Sequence, residues 1–142
     1  MRNLKYEKTV SCYCLKIRRS AAVITNYYDD VLSACGITAR QYSLLYNIGT
    51  AEQCSVRELS DVTELDRSTL ARGLKPLYRQ NLIADKKQNG KRNCCLELTQ
   101  SGKETVERAT LLWNTAQENI RQKLGDDGIM WIDKISNLLE TL

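Results

Sequence analysis

The stretch SVRELSDVTELDRSTLARGLKPLYRQ, from Ser55 to Gln80, decides the fold. Ser55 with Glu58 three residues on is a capping box, in which hydroxyl and carboxylate each satisfy an otherwise unpaired N–H. Val56, Leu59 and Val62 mark the expected buried side of the helix that follows. A break at Thr63-Glu64-Leu65 leads to Asp66, an N-cap for a second helix from Arg67 to about Gln80. Two short helices joined by a tight turn make a helix-turn-helix.

The second helix has two unlike faces. At about 100° per residue, Leu70, Leu74 and Leu77 cluster on one side. Ser68, Arg72, Lys75 and Arg79 fall on the other, three cations and a hydroxyl with no carboxylate among them. Any amphipathic helix has a polar face, but this composition suits a DNA groove. Arginine takes guanine edges in bidentate fashion, and lysine and hydroxyls hold phosphates. Groove readers use the N-terminal part of the helix, so Ser68, Thr69 and Arg72 are the candidate base contacts. Lys75 and Arg79 are the candidate backbone contacts. Pro76 removes an N–H from the helix interior, and the residues leave open whether the helix kinks there.

Downstream, Leu82–Lys87 and Arg92–Leu98 read as a strand pair around Asn89-Gly90, a dipeptide in which both residues tolerate positive φ. Lys86, Lys87, Lys91 and Arg92 make this hairpin basic. Lysines also protect exposed strand edges, so two readings stand side by side: an edge guard, or a ribbon lying on phosphates with Lys91 and Arg92 foremost. A hairpin directly after a helix-turn-helix is its winged variant.

Upstream, Thr38 and Gln41 form another capping box, opening a helix with Tyr42, Leu45, Tyr46 and Ile48. Before it, Val10, Cys14, Ile17, Ala21, Ile24, Tyr28, Val31 and Cys35 recur at steps of 4 and 3, ending at Gly36. That period suits packing against another helix. At the other end, Val106, Ala109, Trp113, Ala116 and Ile120 stripe a long helix, broken at Gly125-Asp126-Asp127-Gly128. A last helix carries Ile129, Ile132, Ile135, Leu139 and Leu142. The expected fold is therefore mainly α with a small β-hairpin wing. It forms one domain, with a winged-helix lobe at about 38–99 between dimerisation helices at about 9–35 and 101–142. The terminal stripes exceed what one small lobe covers, and closed two-fold symmetry is the commonest answer.

Composition agrees. The 142 residues are 42% hydrophobic and 27% charged, values that argue against disorder. The net charge of +4 is unevenly spread. Residues 55–95 hold 9 basic and 5 acidic groups, net +4, whereas residues 96–142 hold 5 and 8, net −3. The basic middle favours a polyanionic partner. No membrane span and no secretion signal are expected, which places the chain in the cytoplasm. There is no histidine, the commonest general base and metal ligand. With no phosphate loop and no nucleophile motif, no enzyme is expected. Cys12 and Cys14 point to different faces of a helix and Cys94 and Cys95 to opposite sides of a strand, so no metal or other cofactor is expected.

These residues resemble the MarR family of bacterial transcription regulators. The resemblance rests on Gly36-Ile37-Thr38, Gln41-Tyr42-Ser43-Leu44-Leu45, Ser55-Val56-Arg57-Glu58-Leu59-Ser60, Asp66-Arg67-Ser68-Thr69-Leu70-Ala71-Arg72, and Leu96-Glu97-Leu98-Thr99 followed by Gly102. It implies a homodimer held by the first and last helices, with two reading helices on a pseudo-palindromic site in double-stranded DNA. It also implies repression, relieved by a small aromatic or phenolic effector or by thiol oxidation. The family's wing arginine reaches a minor groove; Arg92 matches its region, while Gly90 stands in place of the usual aspartate.

Two sensors follow as candidates from the resemblance. Cys14, with Cys12 beside it, is the nearest match to the reactive cysteine of the family's hydroperoxide sensors, and Tyr28 aligns with one of their tyrosines. Cys14 is equally a small residue on an apolar stripe. Along one helix it lies ~21 Å from Tyr28, so the two could meet only across an antiparallel dimer. Tyr27, Tyr28, Tyr42 and Tyr46 could line an effector crevice between the dimer helices and the reading lobe; packing with a hydrogen-bonding tip is their default role. The competing class is a winged-helix protein-interaction module that does not bind DNA.

Overall fold

The computed structural model describes residues 12–87 and 94–142. The expected Asn89-Gly90 turn, Lys91 and Arg92 lie outside the described residues. Helix α1 spans Tyr13–Leu32 and passes into a single 3₁₀ turn, Ser33–Cys35. Gly36 then leaves the helix at φ 71°, the left-handed stop expected of it. Helix α2 spans Ala39–Thr50, α3 Val56–Thr63 and α4 Arg67–Arg79. Strands β1, Ile83–Asp85, and β2, Leu96–Leu98, precede α5, Gln100–Leu139. None of the described helices is long and apolar enough to cross a membrane.

The local signals act as read. Thr38 Oγ1 accepts the Gln41 N–H at 3.2 Å, and the Gln41 side chain returns to the Thr38 N–H at 2.9 Å. Ser55 and Glu58 close the same reciprocal pair at 3.1 and 2.8 Å. Thr99 caps α5 through the Gly102 N–H at 3.0 Å and donates to the Asn81 carbonyl at 2.7 Å. Gly102 itself is buried, and a Cβ there would stand 2.0 Å from the Leu82 carbonyl oxygen. Only glycine lets α5 start this close to the wing. The α5 backbone is non-helical at Gly125, at φ 69° and ψ 173°, where the sequence predicts a break.

The core joins α2, α3, α4, the wing and the first turns of α5. Leu44, Leu45, Ile48, Leu59, Leu70, Leu77 and Leu96 are fully buried there, with Leu32 arriving from α1. Helix α1 packs along α5, and α2 bridges that pair to α4.

Two expectations need correction, and one contact is new. The strands are shorter than Leu82–Lys87 and Arg92–Leu98: the ladder pairs Ile83 with Leu98, Ala84 with Glu97 and Asp85 with Leu96. The hairpin also has a third partner, because Cys54 exchanges two backbone hydrogen bonds with Leu96. No alternation marks one isolated bridge residue, so sequence reading misses it. Val62, finally, is 67% exposed. Leu59 is the centre of a stripe whose flanks lie about 60° to either side; Val56 packs against the core and Val62 does not.

Candidate nucleic-acid interface

Helix α4 is seated by Leu70, Leu74 and Leu77, all buried. That orientation leaves Ser68, Arg72, Lys75 and Arg79 on the opposite face, away from the core. Helix α4 runs through Pro76 to Arg79, so no break separates Lys75 from Arg79. The missing proline N–H falls opposite the Arg72 carbonyl.

The N-terminus of α4 is held by Asp66. Its carboxylate accepts the Thr69 N–H at 2.9 Å and the Thr69 hydroxyl at 2.6 Å. These two bonds, the hydroxyl's first, hold the Asp66 carboxyl below the usual range. Thr69 is thus half-buried and its proton is committed to the cap. The Thr69 hydroxyl oxygen in turn accepts Arg72 Nη2 at 3.5 Å. Within the expected trio, Thr69 touches the arginine at the outer limit of hydrogen bonding, and Ser68 and Arg72 are the groups turned outward.

The only ion pair among the described residues joins Lys86 Nζ to Glu97 Oε1 at 2.8 Å across the wing. Among the described residues, Arg72, Lys75 and Arg79 form no ion pair and share one helical face, with the Asp66 carboxylate in the field of Arg72. Lys86 is paired, and Lys87 is the remaining described wing cation. Lys91 and Arg92 lie outside the described residues.

The four tyrosines do not gather round one cavity. Tyr42 is buried and bonds Thr110 Oγ1 at 3.1 Å, while Tyr46 sits half-exposed against it, ring centroids 5.9 Å apart. Trp113 is the ring that sequence reading overlooked as their partner. It stacks on Tyr28 at 6.3 Å and 20° and tilts against Tyr42 at 6.0 Å. Tyr28 donates to Gln117, and Tyr27 accepts from Asn119 Nδ2 at 2.8 Å. Two clefts border this row. An apolar one of about 390 Å³ lies between α1 and α5 beside Val23, Tyr27 and Ile120. The other, of about 520 Å³, is lined by Tyr28, Trp113, Gln117, Arg121 and Ile129. Tyr42 and Tyr46 line neither of these two.

Cys12 is the N-cap residue of α1 and Cys14 lies in its first turn; both are exposed thiols. Cys14 and Tyr28 sit at opposite ends of the same helix and do not meet within one chain.

Similarities to known proteins follow this geometry. The sequence model of the MarR family matches residues 36–92. Among solved structures, the chain is similar to the M. tuberculosis transcriptional regulator MosR in complex with DNA. That match has 28% identity and a TM-score of 0.79, covering 92% of this chain and 95% of that one. It is similar to a mutant E. coli MarR complexed with operator DNA at 22% identity and a TM-score of 0.79, over 89% and 91% of the two chains. Bordetella bronchiseptica BpsR, whose DNA binding is regulated by 6-hydroxynicotinic acid, is similar at 17% identity and a TM-score of 0.80, over 93% and 96%. The latter two likenesses concern the fold alone. No curated protein matches the chain.

Proposed function

We propose that this chain, which matches the MarR family model over residues 36–92, is a MarR-type sequence-specific repressor that binds a pseudo-palindromic operator as a homodimer. One observation carries the proposal. Helix α4, the second helix of a helix-turn-helix, buries Leu70, Leu74 and Leu77 and turns Arg72, Lys75 and Arg79 outward, none of the three in an ion pair among the described residues. Such a face matches the donors that a major groove reads.

In this reading Ser68 and Arg72 contact bases, and Thr69 holds Arg72 in place. Lys75 and Arg79 contact phosphates, and the wing adds Lys91 and Arg92. The chain works as a single domain whose lobe, residues 38–99, reads DNA and whose arms, 9–35 and 101–142, dimerise. Exposed apolar residues on both arms, among them Ile17, Val23, Ile135 and Leu138, support that division. Related structures contain DNA, which supports double-stranded DNA as the partner.

Release has two candidate triggers. A small aromatic or phenolic effector suits the cleft beside Tyr28 and Trp113, where ring faces and the Arg121 cation converge; a small aromatic acid regulates the fold relative BpsR. Oxidation suits the exposed thiols of Cys12 and Cys14.

A titration tests the proposal. Purified protein is mixed with the duplex flanking its own gene and with a scrambled duplex. Tight binding to the first and weak binding to the second is expected. Arg72→Ala should lose about 1–3 kcal/mol, the value of one good base contact. A folded, reduced dimer that binds neither duplex at low salt would refute the reading in favour of a protein-interaction module.

A further inference from the structure

At the root of the wing lies a cluster that the reading face does not use. Tyr78, near the end of α4, places its hydroxyl 3.9 Å from Cys94 Sγ. Asp85, the last residue of β1, accepts the Cys95 backbone N–H on Oδ1 at 2.9 Å. The same carboxylate stands close enough to Cys94 to push its thiol pKa up. Lys86 then donates its N–H to the Cys95 carbonyl at 2.8 Å. The strand is thus gripped at Cys94 and Cys95, just before the ladder proper begins at Leu96. Groups from three separate elements meet here: the reading helix, β1 and the strand entering β2.

The protons on these groups run one way. Asp85 is held below the usual carboxylate range, first by the Cys95 N–H and then by the Cys94 thiol, so it accepts only. Burial, then the neighbouring Asp85 carboxylate, pushes the Cys94 thiol up to about 11. It is therefore an S–H donor at neutral pH, not a thiolate. Burial also raises Tyr78 above its ordinary value and keeps it a phenol. Tyr78 and Cys94 thus both keep their protons at neutral pH, and either can donate in the contact between them. A thiol held this way is a poor nucleophile, which argues for a structural role over a redox one.

We propose that Tyr78, Cys94 and Asp85 form a clasp that fixes the wing against the reading helix, making them positioning residues for the wing's contact with DNA. The proposal rests on the DNA-binding reading above. None of the three needs to touch DNA. They act through the strands, whose cations reach phosphates only if the hairpin leaves α4 at the right angle.

The test is the salt dependence of DNA affinity, which reports how many phosphates the protein neutralises, independently of the folded fraction. Asp85→Asn and Cys94→Ala are measured in the full chain with thermal melting alongside, together with Cys94→Ser and Arg72→Ala. Asp85→Asn and Cys94→Ala should lower the slope of log affinity against log salt by about 1 for each phosphate that the wing no longer reaches. Cys94→Ser, which keeps a donor and an acceptor, should restore the slope. If Cys94→Ala does not fold, Tyr78→Phe, which removes a single oxygen, carries the test in its place. Folded variants with the parental slope would overturn the clasp while Arg72→Ala still weakens binding. A parent chain that binds no DNA would overturn the DNA-binding reading and the clasp with it.

Discussion

Leu45, Ile48, Leu70 and Leu96 in the reading lobe are completely buried, whereas Val23, Leu111 and Leu138 on the arms are each 63–70% exposed. Both regions are built from amphipathic helices with regular apolar stripes. In the lobe each stripe meets another within the chain: α2 packs on α3, α4 and β2, and α4 on β1. On the arms, α1 meets α5 along one line, and beyond Gly125 Met130, Trp131, Ile132, Ile135 and Leu139 stand open. Fully burying one such side chain contributes about 1.5–3 kcal/mol. The arms forgo that gain in a single chain, and in the proposed dimer a second copy supplies it. The lobe buries its stripes within one chain; the arms leave theirs open, as half of an interface would.

The contrast can be broken at either end. Leu70→Ala strikes the lobe where nothing can compensate, and should cost about 2–5 kcal/mol, read as a lower thermal midpoint with dimerisation intact. Ile135→Asp with Leu138→Asp strikes the arms. Sedimentation should then show monomers whose lobe still melts cooperatively, and operator affinity should fall ~100-fold or more as two-site binding is lost. Arg72→Ala separates function from both. The side chain is exposed and pairs with no carboxylate among the described residues, so melting should not move while DNA binding weakens by about 1–3 kcal/mol. Thr38→Ala removes the cap of α2 and should cost about 1 kcal/mol in melting, with no effect on dimer mass.

The smallest effect depends on pH. The Glu58 carboxyl is lowered chiefly by the Ser55 N–H and then its hydroxyl, and Asp66 chiefly by the Thr69 hydroxyl. A carboxylate with a depressed folded value stabilises the fold above its unfolded value, and that contribution disappears as pH falls through the folded one. The melting difference between parent and Glu58→Gln should therefore be present at neutral pH and vanish in acid. A difference that persists at low pH would assign the cap to something other than charge.

Much of the lobe was legible because its signals are local. Thr38 with Gln41, Ser55 with Glu58, and Asp66 lie within one turn of the N–H groups they satisfy, so their spacing along the chain is their spacing in the fold. Leu70, Leu74 and Leu77 predict which way α4 faces for the same reason. Gly36 and Gly125 predict backbone that leaves the helix. What was not legible depends on distant partners. Cys54 joins the wing across a long span of sequence, at Leu96, through backbone bonds that any residue could make. The stack of Tyr28, Trp113 and Tyr42 draws on three helices, and the Tyr78, Cys94 and Asp85 cluster on three elements. Val62 misled because periodicity shows which residues share a face, not how wide a strip the neighbours cover.

The most direct test of the account is hydroxyl-radical footprinting of the duplex flanking the protein's own gene. Two finished lobes joined by paired arms should protect two stretches of backbone centred ~34 Å, or one helical turn, apart, and Arg72→Ala should erase both together. A single protected stretch, or protection that spreads without register, would contradict a two-fold dimer reading DNA through α4.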